Sequence, residues 1–251
     1  LDKEMEKYSF QKDLLKSLEL ARKNKYSHTY VYSPLANKEF KLVLDVNSIK
    51  WVLDYKKLRI NDFLKQKELL NFEIDENIFC YIYYFYSFVL HDIWNIIKFI
   101  PQEVNNILNI GAGICLSDIY LNFLNNKITK FCIIEKINLI HNNFPIDVLS
   151  MAKSTVQSYQ LEKKFDFYND TDFRKINEKF DLILSLRSWA YKYDINVYLD
   201  FVLESITKKS ILIIDIRNKY DEKTILTKFK TVNIITEYQD HKRYFLTNYI
   251  N

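Results

Sequence analysis

Beyond residue 105, short apolar runs alternate with longer segments in which apolar residues recur at helical spacing. The short runs are almost continuously apolar, which is typical of strands covered on both faces of a sheet. They predict strands at residues 106–110, 130–134, 165–168, 180–186 and 210–216. The segments between them predict helices at residues 116–125, 145–159, 197–206 and 222–229. Strands that alternate with helices in this way form a parallel sheet flanked by helices.

The chain ends with a different pattern, in which two strands follow each other directly. Residues 231–237 and 243–249 predict strands, and a short loop containing Gln239, Asp240 and His241 separates them. A parallel crossover needs a dozen or more residues, so this pair must be antiparallel. We therefore predict an α/β fold with a mostly parallel, seven-stranded sheet that ends in an antiparallel hairpin.

The first third of the chain is less regular, and we assign it to a separate cap. Apolar residues at helical spacing predict helices at residues 1–24 and 60–73, and short strands are predicted at residues 30–32 and 40–46. We place the domain boundary after residue 77. This gives a mostly helical N-terminal cap (1–77) and a main domain (78–251).

The most apolar segment, residues 78–100, is interpreted as a buried helix that ends near Pro101. A membrane-spanning helix needs about 20 predominantly apolar residues with few charges. This segment is rich in tyrosine, and His91, Asp92 and Asn95 interrupt its apolar run. We therefore expect no membrane span, and no signal sequence among the charged first residues.

The scarcity of glycine directs attention to one turn. The chain has two glycines in 251 residues, Gly111 and Gly113, whereas ordinary usage is roughly 7%. Both stand directly after the first strand of the predicted parallel sheet. In so glycine-poor a chain, a retained glycine is expected where φ must be positive or where a ligand approaches the backbone. The pattern indicates a strand that turns sharply beneath a cofactor, with a tight turn that binds nothing as the alternative.

An apolar strand followed by x-Gly-x-Gly resembles the first motif of class I S-adenosylmethionine-dependent methyltransferases. The family pattern is Asp/Glu-x-Gly-x-Gly-x-Gly, and this chain departs from it with Asn109 at the acidic position and Cys115 at the third glycine. The strand plan with its final hairpin is also that of the family, and the resemblance covers about residues 78–251. It implies a Rossmann-like fold, S-adenosyl-L-methionine as cofactor, S-adenosyl-L-homocysteine as product, and an N-terminal extension that covers the substrate.

The loops after the strands of such a sheet meet at one edge, where open α/β sheets bind ligands. Glu135 ends the second strand and can accept hydrogen bonds from ribose hydroxyls. Asn169 and Asp170 follow the third strand, and the resemblance implies that a residue here reaches the adenine amino group. A solvated glutamate and a polar turn are the alternatives. The candidate cofactor-binding residues are Asn109, Gly111, Ala112, Gly113, Glu135, Lys136, Asn169, Asp170, Ser185 and Leu186.

The loop after the fourth strand, residues 185–193, is where the family places its substrate-facing motif. Family members that methylate amino groups of DNA bases carry Asp/Asn-Pro-Pro-aromatic there, and this loop has no proline. Arg187 suits a carboxylate or phosphate. Trp189, Tyr191 and Tyr193 suit a sugar or a base, unless they pack against the cap. The loop is similar to those of bacterial methyltransferases of surface-polysaccharide (capsule) pathways, which implies a hydroxyl of a sugar or sugar-nucleotide as methyl acceptor.

A hydroxyl acceptor must lose a proton, so a base is expected near the transferred methyl group. The candidate catalytic residues are His141, His91, Asp92, Arg187 and Tyr191, and Asp215 at the end of the fifth strand is a further candidate base. His91 and Asp92 are adjacent on a helix and point about 100° apart, so both cannot face one atom. The histidines lack zinc-ligand spacing, so no metal site is predicted.

Charge and cysteine content change this picture little. The net charge is +4 and the lysines and arginines are scattered, so we do not expect a nucleic-acid partner. The three cysteines show no paired spacing and suit a reducing cytoplasm. RNA methylation, a non-catalytic binding subunit and a homodimer stay open. A nicotinamide-dependent oxidoreductase is disfavoured, because its G-x-G-x-x-G fingerprint would need a glycine at Leu116.

Overall fold

The computed structural model describes residues 10–56, 72–136, 139–141 and 144–250. The helix predicted at residues 60–73 lies almost wholly outside these ranges. The chain divides into two compact units. The first comprises residues 1–94, 114–124 and 138–160, and the second comprises residues 95–113, 125–137 and 161–251. The domain boundary after residue 77 stays a prediction.

The described residues form strands and α-helices with the following bounds. The strands are β1 (His28–Ser33), β2 (Lys38–Val43), β3 (Asn106–Ile110), β4 (Lys130–Ile134), β5 (Leu139–His141), β6 (Phe144–Ile146), β7 (Phe165–Tyr168), β8 (Leu182–Ser185), β9 (Ile211–Ile216), β10 (Phe229–Glu237) and β11 (Lys242–Tyr249). The helices are α1 (Phe10–Lys23), α2 (Val46–Lys56), α3 (Glu76–Tyr84), α4 (His91–Ile96), α5 (Leu116–Leu124), α6 (Val148–Ser158), α7 (Leu199–Ser205) and α8 (Lys219–Leu226).

A seven-stranded sheet with the order β10-β11-β9-β8-β3-β4-β7 forms the second unit. Strands β7, β4, β3, β8 and β9 pair in parallel along this order. Strand β11 runs antiparallel to both β9 and β10. The predicted fold class is confirmed: the sheet is Rossmann-like and mostly parallel, with an antiparallel C-terminal hairpin.

Burial of the central strands explains why their apolar runs are continuous. Every residue of β8 and β9 is buried, and in β3 and β4 only the first residue is partly exposed. Strand β7, at the edge, buries Phe165 and leaves the rest of its residues partly or fully exposed. The Phe165 ring stacks on Phe131 of β4 at 4.6 Å between centroids. Strands buried on both faces of a sheet are therefore mostly apolar, whereas an edge strand has exposed positions that polar residues can occupy.

The first unit contains both strands predicted in this region, β1 and β2, which pair as an antiparallel hairpin. Leu18 of α1 is fully buried, and Phe40 of β2 meets Tyr120 of α5 edge-on at 5.2 Å. Strand β2 ends earlier than predicted. The reason is that the Asp45 carboxylate accepts the Ser48 N–H at 2.9 Å and so caps the start of α2.

The helix predicted at residues 78–100 is present as a continuous helical run. Helix α3 leads through the π-helical segment Phe85–Leu90 into α4, and a 3₁₀ turn, Ile97–Phe99, completes the run before Pro101. Asp75 begins the run by accepting the backbone N–H groups of Asn77 and Ile78. In the part of the chain that the structure describes, no helix is both long and apolar enough to span a bilayer.

The helix predicted from residue 145 begins later. Phe144–Ile146 is a strand, β6, that pairs antiparallel with β5. A proline suits the first turn of a helix, but here Pro145 lies in the strand and Asp147 supplies the cap. The Asp147 carboxylate accepts the Ser150 N–H at 3.0 Å, so α6 begins at Val148.

Candidate functional site

Loops that follow the parallel strands meet at one edge of the sheet, which we call the carboxyl edge. The turn between β10 and β11 lies at this edge too, because β11 is antiparallel to β9 and places Arg243 opposite Asp215. Many predicted site residues lie at the carboxyl ends of these strands or follow them in the second unit. They are Asn109, Gly111, Ala112, Gly113, Glu135, Lys136, Asn169, Asp170, Ser185, Leu186, Arg187 and Tyr191.

The turn after β3 holds two glycines in the left-handed region, Gly111 at φ +79° and Gly113 at φ +61°. The Gly111 N–H donates to the Ile134 carbonyl at 2.8 Å, which ties the turn to the end of β4. A Cβ on Gly111 would lie 1.8 Å from Ser188 Oγ and 2.2 Å from Ser188 Cβ. No side chain fits there. The side chain of Ser188, for which the sequence pattern predicts no role, is therefore the reason that residue 111 must be glycine.

Glu135, at the end of β4, directs its carboxylate at the glycine turn. Its Oε2 accepts the Gly113 N–H at 2.8 Å, and its Oε1 accepts the Lys136 N–H at 2.9 Å. Hydrogen bonds to an ionised acceptor are among the stronger ones in proteins, and these two fix the orientation of a half-buried carboxylate. Because a carboxylate has about four acceptor positions, Glu135 can still accept donors from a ligand.

Ser185 joins β3 to the loop after β8 from the interior. Its hydroxyl is fully buried, donates to the Ile110 carbonyl at 3.1 Å and accepts the Trp189 N–H at 2.9 Å. Asn109 is also buried, at 5% exposure, while Leu186 is half-buried. The contacts of Ser185 hold the end of β3 to the loop after β8. A role of Ser185 in binding the cofactor stays a prediction.

Trp189 packs in the core of the second unit. Its ring is fully buried, and its Nε1–H donates to the Ile195 carbonyl at 2.7 Å. The prediction that this ring faces the acceptor is wrong, because the loop folds back on itself at Ala190, whose φ is +61°. Tyr191 and Tyr193 stay half-buried at the carboxyl edge.

Side chains from three strand ends approach one another at this edge. The Lys136 ammonium, after β4, lies 4.1 Å from the ring centroid of Tyr193, after β8. Burial raises the pKa of Tyr198, and the negative charges of Asp170 and Glu135 raise it further, so both carboxylates act electrostatically on the same hydroxyl. The loops after β4, β7 and β8 therefore form one polar surface.

Asn169 and Asp170 play different parts in the loop after β7. The Asn169 Oδ1 accepts the Thr171 N–H at 2.8 Å, the Thr171 hydroxyl at 2.6 Å and the Asp172 N–H at 2.9 Å. This side chain builds the turn, as the polar-turn alternative expects. Among the described residues, none donates a hydrogen bond to the Asp170 carboxylate. Asp170 is therefore the member of the pair better suited to a ligand.

A buried ion pair lies at the carboxyl end of β9. Asp215 and Arg243 are both fully buried, and Arg243 donates Nε–H to Asp215 Oδ1 at 2.7 Å and Nη2–H to Oδ2 at 2.9 Å. The Arg187 backbone N–H also donates to Asp215 Oδ2, at 3.0 Å. Burial raises the pKa of Asp215, but Arg243 and His241 outweigh it and hold the pKa at about 2. The prediction of Asp215 as a base is therefore wrong.

His241, in the turn between β10 and β11, lies between two carboxylates. Its Nε2 is 3.6 Å from Asp215 Oδ2, and its Nδ1 is 2.7 Å from Asp240 Oδ1. The other Asp240 oxygen accepts the Tyr191 hydroxyl at 2.8 Å, and the Tyr238 ring stacks on the imidazole at 4.3 Å. Burial lowers the pKa of His241, but Asp215 and Asp240 outweigh it and raise the pKa above its ordinary value.

The remaining catalytic candidates, His91, Asp92 and His141, belong to the first unit. His91 and Asp92 lie in the first unit on α4, where Asp92 is 6% exposed and His91 is half-buried. The backbone of His141 ends β5, and its side chain lies outside the described residues. All three stay predictions. Among the described residues, no group of three or more His, Cys, Asp or Glu side chains could hold a metal.

Comparison with known proteins yields solved structures only, because no protein-family model and no curated protein matches the chain. A candidate caffeoyl-CoA O-methyltransferase from Staphylococcus aureus matches with 16% identity and a TM-score of 0.48, over 81% of this chain and 100% of that one. The tRNA methyltransferase TrmK of B. subtilis matches with 16% identity and a TM-score of 0.48, over 63% of this chain and 65% of that one.

A third similar structure is the 16S rRNA methyltransferase RsmC of T. thermophilus in complex with AdoMet and guanosine. It matches with 13% identity and a TM-score of 0.47, over 72% of this chain and 45% of that one. Because these TM-scores are low, the assignment of the fold rests on the strand order itself. That order, with its antiparallel final hairpin, agrees with the mostly parallel, seven-stranded sheet predicted from the sequence.

We expect Gly111→Ala to destabilise the protein, because the new Cβ overlaps Ser188 and the backbone is left-handed. Overpacking costs about 1–3 kcal/mol, and a left-handed non-glycine residue costs about 1–2 kcal/mol more. The double variant Gly111→Ala/Ser188→Gly removes only the overlap, so urea denaturation should recover the first part of the loss. Ser188→Gly alone is the control. A double variant no more stable than Gly111→Ala would show that Ser188 does not determine the glycine.

The raised pKa of His241 predicts how stability depends on pH. The charged imidazole, which faces Asp215 and Asp240 with Arg243 beyond them, stabilises the fold fully below the unfolded-state pKa of about 6.5. This contribution is lost as pH rises through the higher folded-state pKa. Urea denaturation across pH should therefore show that His241→Gln loses most stability near about pH 6 and less in alkali. A loss independent of pH would mean that charge at His241 does not matter.

Proposed function

We propose that the protein is an S-adenosylmethionine-dependent methyltransferase that methylates a small molecule. The observation that carries the proposal is the Glu135 carboxylate, held at 2.8 Å from the Gly113 N–H where β3 and β4 end. This arrangement places an oriented anionic acceptor beside a backbone turn, at the edge where open α/β sheets bind ligands.

The residues at the carboxyl edge suit this cofactor. Glu135 offers acceptors to the two ribose hydroxyls, and Asp170 offers an acceptor to the adenine amino group. Because Ser188 fills the space beside Gly111, we assign the close approach of the ligand to the Gly113 side of the turn. The cofactor, when bound, supplies a methyl group on a positively charged sulfur. The protein supplies orientation, which can account for a large part of a rate enhancement.

We further propose a hydroxyl of a sugar or sugar-nucleotide as acceptor, within the cytoplasmic part of surface-polysaccharide synthesis. The support is the composition of the loop after β8, where Arg187 and the half-buried Tyr191 remain at the carboxyl edge. Tyr191 can position the acceptor hydroxyl, because its own hydroxyl is fixed by Asp240 at 2.8 Å. The acceptor proton must pass to a base, for which His141, His91 and Asp92 stay the candidates.

Calorimetric titration with S-adenosylmethionine and S-adenosylhomocysteine tests the cofactor assignment. We expect micromolar binding by the wild type and at least tenfold weaker binding by Glu135→Ala, because two ribose hydroxyls lose a charged acceptor. A tenfold change corresponds to about 1.4 kcal/mol.

Glu178→Gln is the matched control for this experiment. Glu178 also lies in the second unit, but it pairs with Lys130 at the start of β4, at the opposite end of the strand from Glu135. Its substitution should leave the affinity unchanged. If neither ligand binds the wild type, the enzyme assignment fails. If both variants weaken binding equally, Glu135 is not the ribose acceptor.

A further inference from the structure

Arg217, which follows β9, lies against the loop that carries Tyr191. Its guanidinium carbon is 5.4 Å from the centre of the Tyr191 ring, which is within the range of a cation–π contact. Its backbone N–H donates to the Ala190 carbonyl at 3.1 Å, so the end of β9 and the loop after β8 are joined. Arg217 lies outside the loop after the fourth parallel strand, where the sequence pattern predicts the contacts with the acceptor.

Arg187 approaches the same tyrosine from its own loop. Its backbone is fixed by the hydrogen bond to the buried Asp215, and its φ is +55°. Burial and Asp240 raise the pKa of the Tyr191 hydroxyl, whereas Arg217 and Arg187 oppose this rise. The positive charges of both guanidinium groups therefore act on the Tyr191 hydroxyl, and Arg217 is the one in contact with the Tyr191 ring.

The carboxylates of this region are already matched to other cations. Asp215 is paired with the buried Arg243, and Asp240 is paired with His241. Arg217 is exposed, and it forms no salt bridge with any of the described residues. The Arg217 guanidinium next to the fixed Tyr191 hydroxyl thus gives the carboxyl edge a local positive charge beside the loop proposed to face the acceptor.

We propose that Arg217, supported by the positive charge of Arg187, binds a phosphate group of the small-molecule acceptor beside the Tyr191 hydroxyl. The inference rests on the proposed function, because it takes this loop to be the acceptor side of the site. Guanidinium groups recognise phosphate oxygens through paired N–H donors. The Asp240–His241 contact holds Tyr191 in place, so Asp240 and His241 are positioning residues. A free phosphate ester and the diphosphate of a sugar-nucleotide share this chemistry.

The test is calorimetric titration of the full chain with uridine diphosphate and with inorganic phosphate. We expect uridine diphosphate to bind, and Arg217→Gln to weaken its binding at least tenfold. Arg217→Lys, which keeps the charge but not the paired donors, should give an intermediate loss. Stronger binding of uridine diphosphate than of phosphate would indicate a nucleotide diphosphate, and equal binding a single phosphate ester. Either outcome supports the inference.

Arg174→Gln is the matched control. Arg174 is also exposed and also lies over an aromatic ring, that of Phe173 at 5.5 Å, but it belongs to the connection after β7. This variant should bind uridine diphosphate like the wild type. Equal losses in Arg217→Gln and Arg174→Gln would overturn the inference. So would tighter, Arg217-dependent binding of a single-stranded RNA oligonucleotide, which would replace the small molecule by a nucleic acid.

Titration with S-adenosylhomocysteine separates this inference from the proposed function. Arg217→Gln should bind S-adenosylhomocysteine like the wild type, because Glu135 and the glycine turn are unchanged. If the protein binds S-adenosylhomocysteine but not uridine diphosphate, the phosphate subsite is wrong and the cofactor assignment stands. If uridine diphosphate binds through Arg217 but S-adenosylhomocysteine does not bind, the anion site stands and the methyltransferase assignment fails.

Discussion

The buried pair of Asp215 and Arg243 is the interaction on which the carboxyl edge depends. Removing two charges from water is costly, and only good geometry with further hydrogen bonds offsets the cost. Here the bonds are bidentate, and Asp215 also accepts the Arg187 N–H. The pair therefore joins β9, β11 and the loop after β8 at one buried point. Loss of one partner would leave an uncompensated buried charge, which typically costs about 3–5 kcal/mol.

The glycine turn and Glu135 are fixed in a comparable way at the other side of the edge. Backbone N–H groups of the turn bond to the end of β4 through Ile134 and Glu135, and Ser188 packs on Gly111 from the loop after β8. Buried contacts thus position the polar groups that remain at the surface. A site built on strand ends in this manner has little conformational freedom to lose when a ligand binds.

Gly111 shows how packing can require a glycine at a position where backbone conformation alone does not. Other residues in the described structure adopt positive φ without glycine, among them Cys115 at φ +61° and Arg187 at φ +55°. Cys115 therefore adopts a left-handed backbone although it carries a side chain. Gly111 differs because a Cβ there would overlap Ser188. This chain therefore tolerates strain of about 1–2 kcal/mol at such positions but not a steric overlap.

The amino-acid sequence by itself determined the strands of the seven-stranded sheet, its final antiparallel hairpin and the glycine turn, because continuous apolar runs and short connections leave few other arrangements. It also placed Glu135 and Arg187 after the correct strands. Only the tertiary structure decided that Trp189 is a core residue, that Asp215 is held by Arg243, and that His241 and Arg217 join Tyr191. The contacts of Asp215 with Arg243, and of Tyr191 with His241 and Arg217, connect residues 26 to 50 positions apart. Local sequence patterns carry no signal at that separation, since it is the pairing of β9 with β11 that brings such residues together.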